Sequence, residues 1–138
     1  MPTIDITASE DLFPTEVHRQ LAEELTTALL QAEGAPLAAP FLENTAAYLH
    51  LLPADAVHTA GTAAARTVRV QVLTPPGALD REAQIRFVGE ATDIVARLAG
   101  DPTQRSRTWV LLTEAAEGGW GVAGKALDAA FFAKARGS

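Results

Sequence analysis

The chain has 138 residues, 48% hydrophobic and 20% charged, with a net charge of −6 and no cysteine. This suits one globular domain able to bury a real core. It excludes disulfide and thiolate chemistry, and an acidic chain with eleven scattered cations argues against a nucleic-acid partner. No apolar run reaches the ~18 residues of a membrane span and no signal-type segment opens the sequence, so a cytoplasmic location without membrane contact is expected.

In chain order, Pro2–Ala8 predicts a short strand, with Ile4 and Ile6 on one face and Thr3, Asp5 and Thr7 on the other. Pro14 suits the first position of a helix. Val17, Leu21, Leu25 and Leu29 then recur every four residues until Gly34. A loop rich in Ala and Pro follows over 34–40. Ala46–Leu52 predicts a buried strand closed by Pro53, and Ala54–Ala65 a turn-like stretch of small residues. Thr67–Leu73 carries the cleanest alternation: Val68, Val70 and Val72 face a core, Arg69 and Gln71 face away. Asp80 is placed to cap a second helix, with Ile85, Val88, Thr92 and Val95 on one side and a stop at Gly100-Asp101-Pro102. Arg107–Glu114 predicts a fourth strand, Gly118–Gly124 a glycine-punctuated hairpin or loop, and 125–138 a tail with a short helix over Lys125–Lys134.

That order is strand–helix–strand twice. Leu51 and Thr113 hold the same place in the later strands, as Phe13 and Leu79 do before the helices. A duplicated unit, spanning about 2–64 and 66–124, is the simplest account. Right-handed crossovers lay each pair of strands parallel under its helix. The expected fold class is therefore α+β, a two-layer single domain: one four-stranded sheet, two helices on one face, a hairpin and a C-terminal helix. The other face, with Thr3, Asp5, Thr7, Arg69 and Gln71, is expected to line a channel between subunits.

Pro2 is the residue with the most chemistry. A small second residue lets the initiator Met1 be trimmed, leaving a secondary amine at the terminus. An α-amino group has a reference pKa of about 7.7–8.0. Apolar walls or a nearby guanidinium lower it, so at pH 7 such a nitrogen is a general base and can add to a carbonyl. The plain alternative is an edge strand that happens to start with proline. Tyr48 and His50 share a strand face and are positioned to donate hydrogen bonds to an enolate oxygen, or else to be an amphipathic tyrosine tip and a satisfied histidine. No metal-ligand spacing, phosphate-cradling loop or Ser/His/Asp order occurs, so neither metal nor cofactor is expected.

Pro2, the duplicated unit and the stretch Trp109-Val110-Leu111-Leu112-Thr113-Glu114 leading to Gly119-Trp120-Gly121-Val122-Ala123-Gly124 together resemble the tautomerase superfamily, in its fused, double-length form. The glycine-rich stretch is similar to the hairpin of 4-oxalocrotonate tautomerase, and Trp109-Val110 to the fused dehalogenases acting on 3-chloroacrylate. The resemblance spans nearly all of residues 2–124. It implies Pro2 as catalytic base or acid, a trimer around a central channel, no cofactor, and a small carbonyl or enol substrate. It implies Trp120 as an aromatic wall that keeps water out, with His58 as its first-half counterpart in a surface loop, and Arg107 as a residue bordering the pocket that orients substrate. Plain alternatives are an interface anchor for Trp120 and a strand-end charge for Arg107.

The departures are as informative. Where the family places arginines for carboxylated substrates, this chain has Leu12, Pro75, Ala78, Ala47 and Trp109, so the bidentate carboxylate clamp is missing. The water-activating acid of the dehalogenases falls at Gly119 and the decarboxylase's aspartate near Thr45. The expectation is a tautomerase-type isomerase acting on a less charged, more apolar substrate. The alternatives are a catalytically silent trimeric scaffold or another proline-dependent lyase or dehalogenase-type activity.

Overall fold

The computed structural model describes residues 1–137. Strand alternation fixes which side each strand buries. In β1 (Thr3–Ser9), Ile4, Ile6 and Ala8 are buried, and in β3 (Val68–Thr74) so are Val68, Val70 and Val72. β2 (Ala46–Leu52) and β4 (Thr108–Glu114) flank them in the order β2-β1-β3-β4. β1 and β2 run parallel, as do β3 and β4, while β1 and β3 meet antiparallel with Ile4 opposite Val72 and Ile6 opposite Val70. Each parallel pair is bridged by a helix, α1 (His18–Glu33) or α2 (Arg81–Ala99), and both helices cover the same sheet face. Past β4 come a two-stranded hairpin, β5 (Trp120–Val122) with β6 (Lys125–Leu127), and α3 (Ala129–Gly137).

The central core combines Leu21, Leu25 and Leu29 of α1, Phe87, Ala91, Ile94 and Val95 of α2, and the buried valines and isoleucines of the sheet. The α1 stripe falls where its four-residue spacing puts it. The α2 stripe does not: Ile85 is 59% exposed, and Val88 and Thr92 lie half-buried beside a stripe of Ala83, Phe87, Ala91 and Ile94. Val95 does lie in the core as expected, on a stripe that buries the larger Phe87 ring in place of Ile85.

The tail needs a second correction. Lys125–Leu127 is strand, because Ala123 and Gly124 both take positive φ (52° and 77°) and turn the chain back along Trp120–Val122. The tail helix therefore starts at Ala129, its first turn capped by the Asp128 carboxylate accepting from the Phe131 amide at 2.9 Å.

Asp80 behaves as its position predicts, accepting from the Ala83 amide at 2.8 Å at the start of α2. Asp80→Ala is expected to cost about 1 kcal/mol, read as a lower urea midpoint at unchanged slope.

Candidate active site

Pro2 occupies the position just before β1, buried, on the parity of Ile4 and Ile6 and hence on the helix-covered side of the sheet. Its carbonyl accepts from the Ala46 amide at 3.3 Å, which ties the terminus to β2. The preceding residue, Met1, belongs to a second apolar cluster, separate from the central core. Met1 is 7% exposed and packs with Leu30 at the end of α1, Ala35, Phe41, Trp120 of the hairpin and Phe132 of α3. Trp120 and Phe132 meet edge to face, with centroids 6.4 Å apart and planes at 90°. The hairpin and the tail helix thus form a lid of aromatic rings over the chain terminus.

One polar group is built into this apolar setting. The Glu33 side chain is 1% exposed, and its Oε1 lies 3.7 Å from the terminal ammonium of Met1. Its Oε2 is buried with no hydrogen-bond partner. Burial pushes the Glu33 carboxyl above its ordinary range, opposed by attraction to the ammonium and to Arg136 of α3. Burial likewise lowers the terminal amine below 8.0, opposed by Glu33 and reinforced by Arg136. With Met1 in place the Pro2 nitrogen is an amide and has no basicity.

Trp120 packs in the cluster that holds Met1. Tyr48, His50 and Arg107 do not gather at Pro2 within this chain. Tyr48 is 54% exposed and pairs with Asp5 across β1–β2, while His50 pairs with Thr7. Both therefore point to the helix-free face, opposite the side on which Pro2 is covered. There the His50 Nε2 meets the Asp5 carboxylate at 2.6 Å. Arg107 precedes β4 at the end of the sheet opposite the Pro2 end, since Val68, not Leu73, is the partner of Thr108. Its guanidinium contacts Asp101 (3.1 Å), Thr103 and the carbonyl of Arg66 (3.2 Å), pinning the turn after α2 to the start of β3. Arg66 pairs with Asp11, and His58 holds its own loop through Asp55 and Ala64.

The missing clamp has a structural counterpart. Leu12 and Ala78 are buried, Leu12 within the central core, and Pro75 is buried too. At Gly119 a Cβ would sit 2.8 Å from the Ala116 carbonyl oxygen, in a turn closed by the Gly119 amide on that same oxygen at 2.7 Å. An acidic side chain cannot be placed there without opening the turn. Among the described residues no cluster of His, Asp or Glu is arranged to hold a metal, and no helix is long and apolar enough to cross a membrane.

The sequence reading missed Glu33, Arg136 and Phe132. For Glu33 a signal existed: it continues the series Leu21, Leu25, Leu29 by one further step of four, which puts a carboxylate on the buried stripe of α1. Arg136 and Phe132 carry no such mark, because only the hairpin's turn brings α3 over the terminus.

Two strand–helix–strand units sharing one four-stranded sheet, followed by a glycine-punctuated hairpin, are the architecture to compare with known folds. A family model described as tautomerase enzyme matches residues 68–130. The structure of Pt0534 inactivated by 2-oxo-3-pentynoate aligns at 25% identity over 94% of this chain and 98% of that one, with a TM-score of 0.77. A wild-type fused 4-OT (Q0, a symmetric trimer) aligns at 22% over 93% and 96%, TM-score 0.77. N1, a member of the cis-3-chloroacrylic acid dehalogenase family, aligns at 20% over 91% and 82%, TM-score 0.74. No curated protein shows significant similarity. Residues 68–130 thus match the tautomerase family, and the whole chain has the fold of these solved structures.

Proposed function

We propose that this chain is a cofactor-independent tautomerase in which Pro2, freed by removal of Met1, is the general base and acid. The neutral amine takes a proton from the carbon beside a carbonyl, and the resulting ammonium returns it at another atom of the enolate. Trp120 and Phe132 exclude water, which keeps the amine neutral and strengthens every polar contact at the reacting atoms. The substrate is a small carbonyl or enol compound with an apolar body and no dedicated carboxylate clamp.

One observation carries the reading: the chain terminus sits in an apolar cluster, where burial lowers the pKa of the Met1 amine and would act likewise on an amine at Pro2. β1 lies between β2 and β3, so it is not the edge strand of the plain alternative. The assembly is read as a homotrimer, by likeness to the fused 4-OT trimers. The helix-free face supports it, since Tyr48, Leu73, Trp109 and Leu111 stand exposed there among Asp5, Arg69 and Gln71. The second reading, a silent scaffold, is favoured by the apolar residues at the clamp positions and by Met1 filling the cleft.

Mass spectrometry separates the two. The intact mass is expected to lack Met1. An aryl-substituted alkynyl ketone, neutral and apolar, is expected to add once per chain, at the Pro2 nitrogen. A retained Met1, or labelling spread over lysines with Pro2 untouched, rejects the enzymatic reading.

A further inference from the structure

We propose that Glu33 is the second proton-transfer group of this site, acting on the substrate oxygen while the Pro2 nitrogen acts on carbon. The proposal rests on the Pro2 reading and adds a residue to it. Its basis is placement. Met1 fills the space between Glu33 and Pro2: its nitrogen is 3.7 Å from Glu33 Oε1, and three covalent bonds, spanning at most about 4 Å, separate that nitrogen from the nitrogen of Pro2. Removing Met1 opens a cleft with an amine at one side and a carboxyl at the other. Its walls are Leu30, Phe41, Trp120 and Phe132.

The second observation is the orphaned oxygen. Glu33 Oε2 has no partner and no water access, and a buried polar atom left unpaired costs about 1–3 kcal/mol. A substrate hydroxyl or carbonyl in the opened cleft supplies the missing partner. Leu21, Leu25 and Leu29 show what the α1 stripe uses where only packing is needed; at Glu33 it uses a carboxyl.

The step balances without any further reagent. Pro2 nitrogen takes the proton from the α-carbon, and the C–H electron pair becomes the C=C bond. The carbonyl π pair takes the Glu33 proton and becomes the enol O–H. This leaves Pro2 ammonium beside Glu33 carboxylate, and the proton passes from one to the other, directly or through one water, to restore the resting pair. Burial favours the neutral acid at Glu33 and, in the chain that keeps Met1, the neutral form of the Met1 amine. The charged groups acting on Glu33 are that terminal amine and Arg136, whose positive charge favours the carboxylate.

The test uses the trimmed protein labelled with 15N-proline and 13C-glutamate. In wild type the Pro2 nitrogen and the Glu33 carboxyl are expected to titrate as a coupled pair, each showing the other's inflection. Glu33→Gln is expected to leave one inflection at Pro2 and to slow enol–ketone interconversion of an aryl pyruvate ester by at least 10²-fold in kcat, with KM changed far less. Glu33→Asp is expected to restore part of the rate and the second inflection. Uncoupled titration in wild type overturns the proposal, whether or not that ester is turned over. So does a Glu33→Gln protein with the wild-type rate. If Glu33→Gln fails to fold by circular dichroism, the wild-type titration and Glu33→Asp decide. Pro2→Ala separates the two readings: loss of activity there with none in Glu33→Gln removes Glu33 alone, and no loss in either removes both.

Discussion

Trimmed Pro2→Ala protein is expected to catalyse ketonisation of phenylenolpyruvate and of its methyl ester 10²–10⁴-fold more slowly than wild type, the range a positioned general base contributes. Alanine is small enough to leave Met1 removal intact, so the variant still ends in an amine. What it loses is the ring: proline fixes φ and gives the nitrogen no freedom to swing away from the cleft. Pro2 is buried and its carbonyl is tied to the Ala46 amide, which fixes the seat of the residue. The ester is expected to be the better substrate of the two, because Leu12, Pro75 and Ala78 offer a carboxylate no guanidinium. A chain engineered to keep Met1 is expected to be inactive on both, since its Pro2 nitrogen is an amide. Stopped-flow absorbance at the enol band reads all three. A Pro2→Ala rate equal to wild type would mean that no chemistry runs through the terminus.

Much of this architecture could be read before any coordinates, and the reasons are local. Val68, Val70 and Val72 alternate with exposed partners, so the strand and its buried face follow together. Asp80 and Gly100 bracket α2 as start and stop signals should. The pairing of strand–helix–strand units gave each parallel pair and the shared helix face, because crossovers have one hand, while the antiparallel junction of β1 with β3 is seen only in the structure. Legibility failed where tertiary contact, not local pattern, decides. On α2 the stripe through Phe87, Ala91 and Ile94 is buried and Ile85 is exposed, a choice visible only once the helix lies on the core. On β2 the near-continuous run Ala-Ala-Tyr-Leu-His-Leu-Leu told that Tyr48 and His50 share a face but not which face; register against Asp5 and Thr7 settles it. The site divided in the same way. Pro2 and Trp120 carried their own signals, while Glu33 was hidden in a helix stripe and α3 reaches the terminus only through the Ala123-Gly124 turn.

That division bears on the second large effect, Trp120→Ala. The indole is 9% exposed and closes the cleft against Met1 and Phe132. Truncating a buried tryptophan to alanine costs about 3–5 kcal/mol, so urea denaturation should show a clear loss of stability. The chemical consequence is separable from the structural one. Water admitted beside the terminus stabilises the ammonium, so the Pro2 pKa is expected to rise towards the reference of about 7.7–8.0. The neutral base is then scarcer at pH 7 and abundant again above the new pKa. The rate should therefore fall most near neutrality and recover as pH rises, the whole profile moving to higher pH. Trp120→Phe keeps an aromatic wall and should leave the profile near wild type. A Trp120→Ala protein that is folded, yet slowed equally at every pH, would assign the indole to substrate contact and leave desolvation of the amine to Phe132, Phe41 and Leu30. The pH axis thus decides which of the rings over the terminus sets the strength of the base.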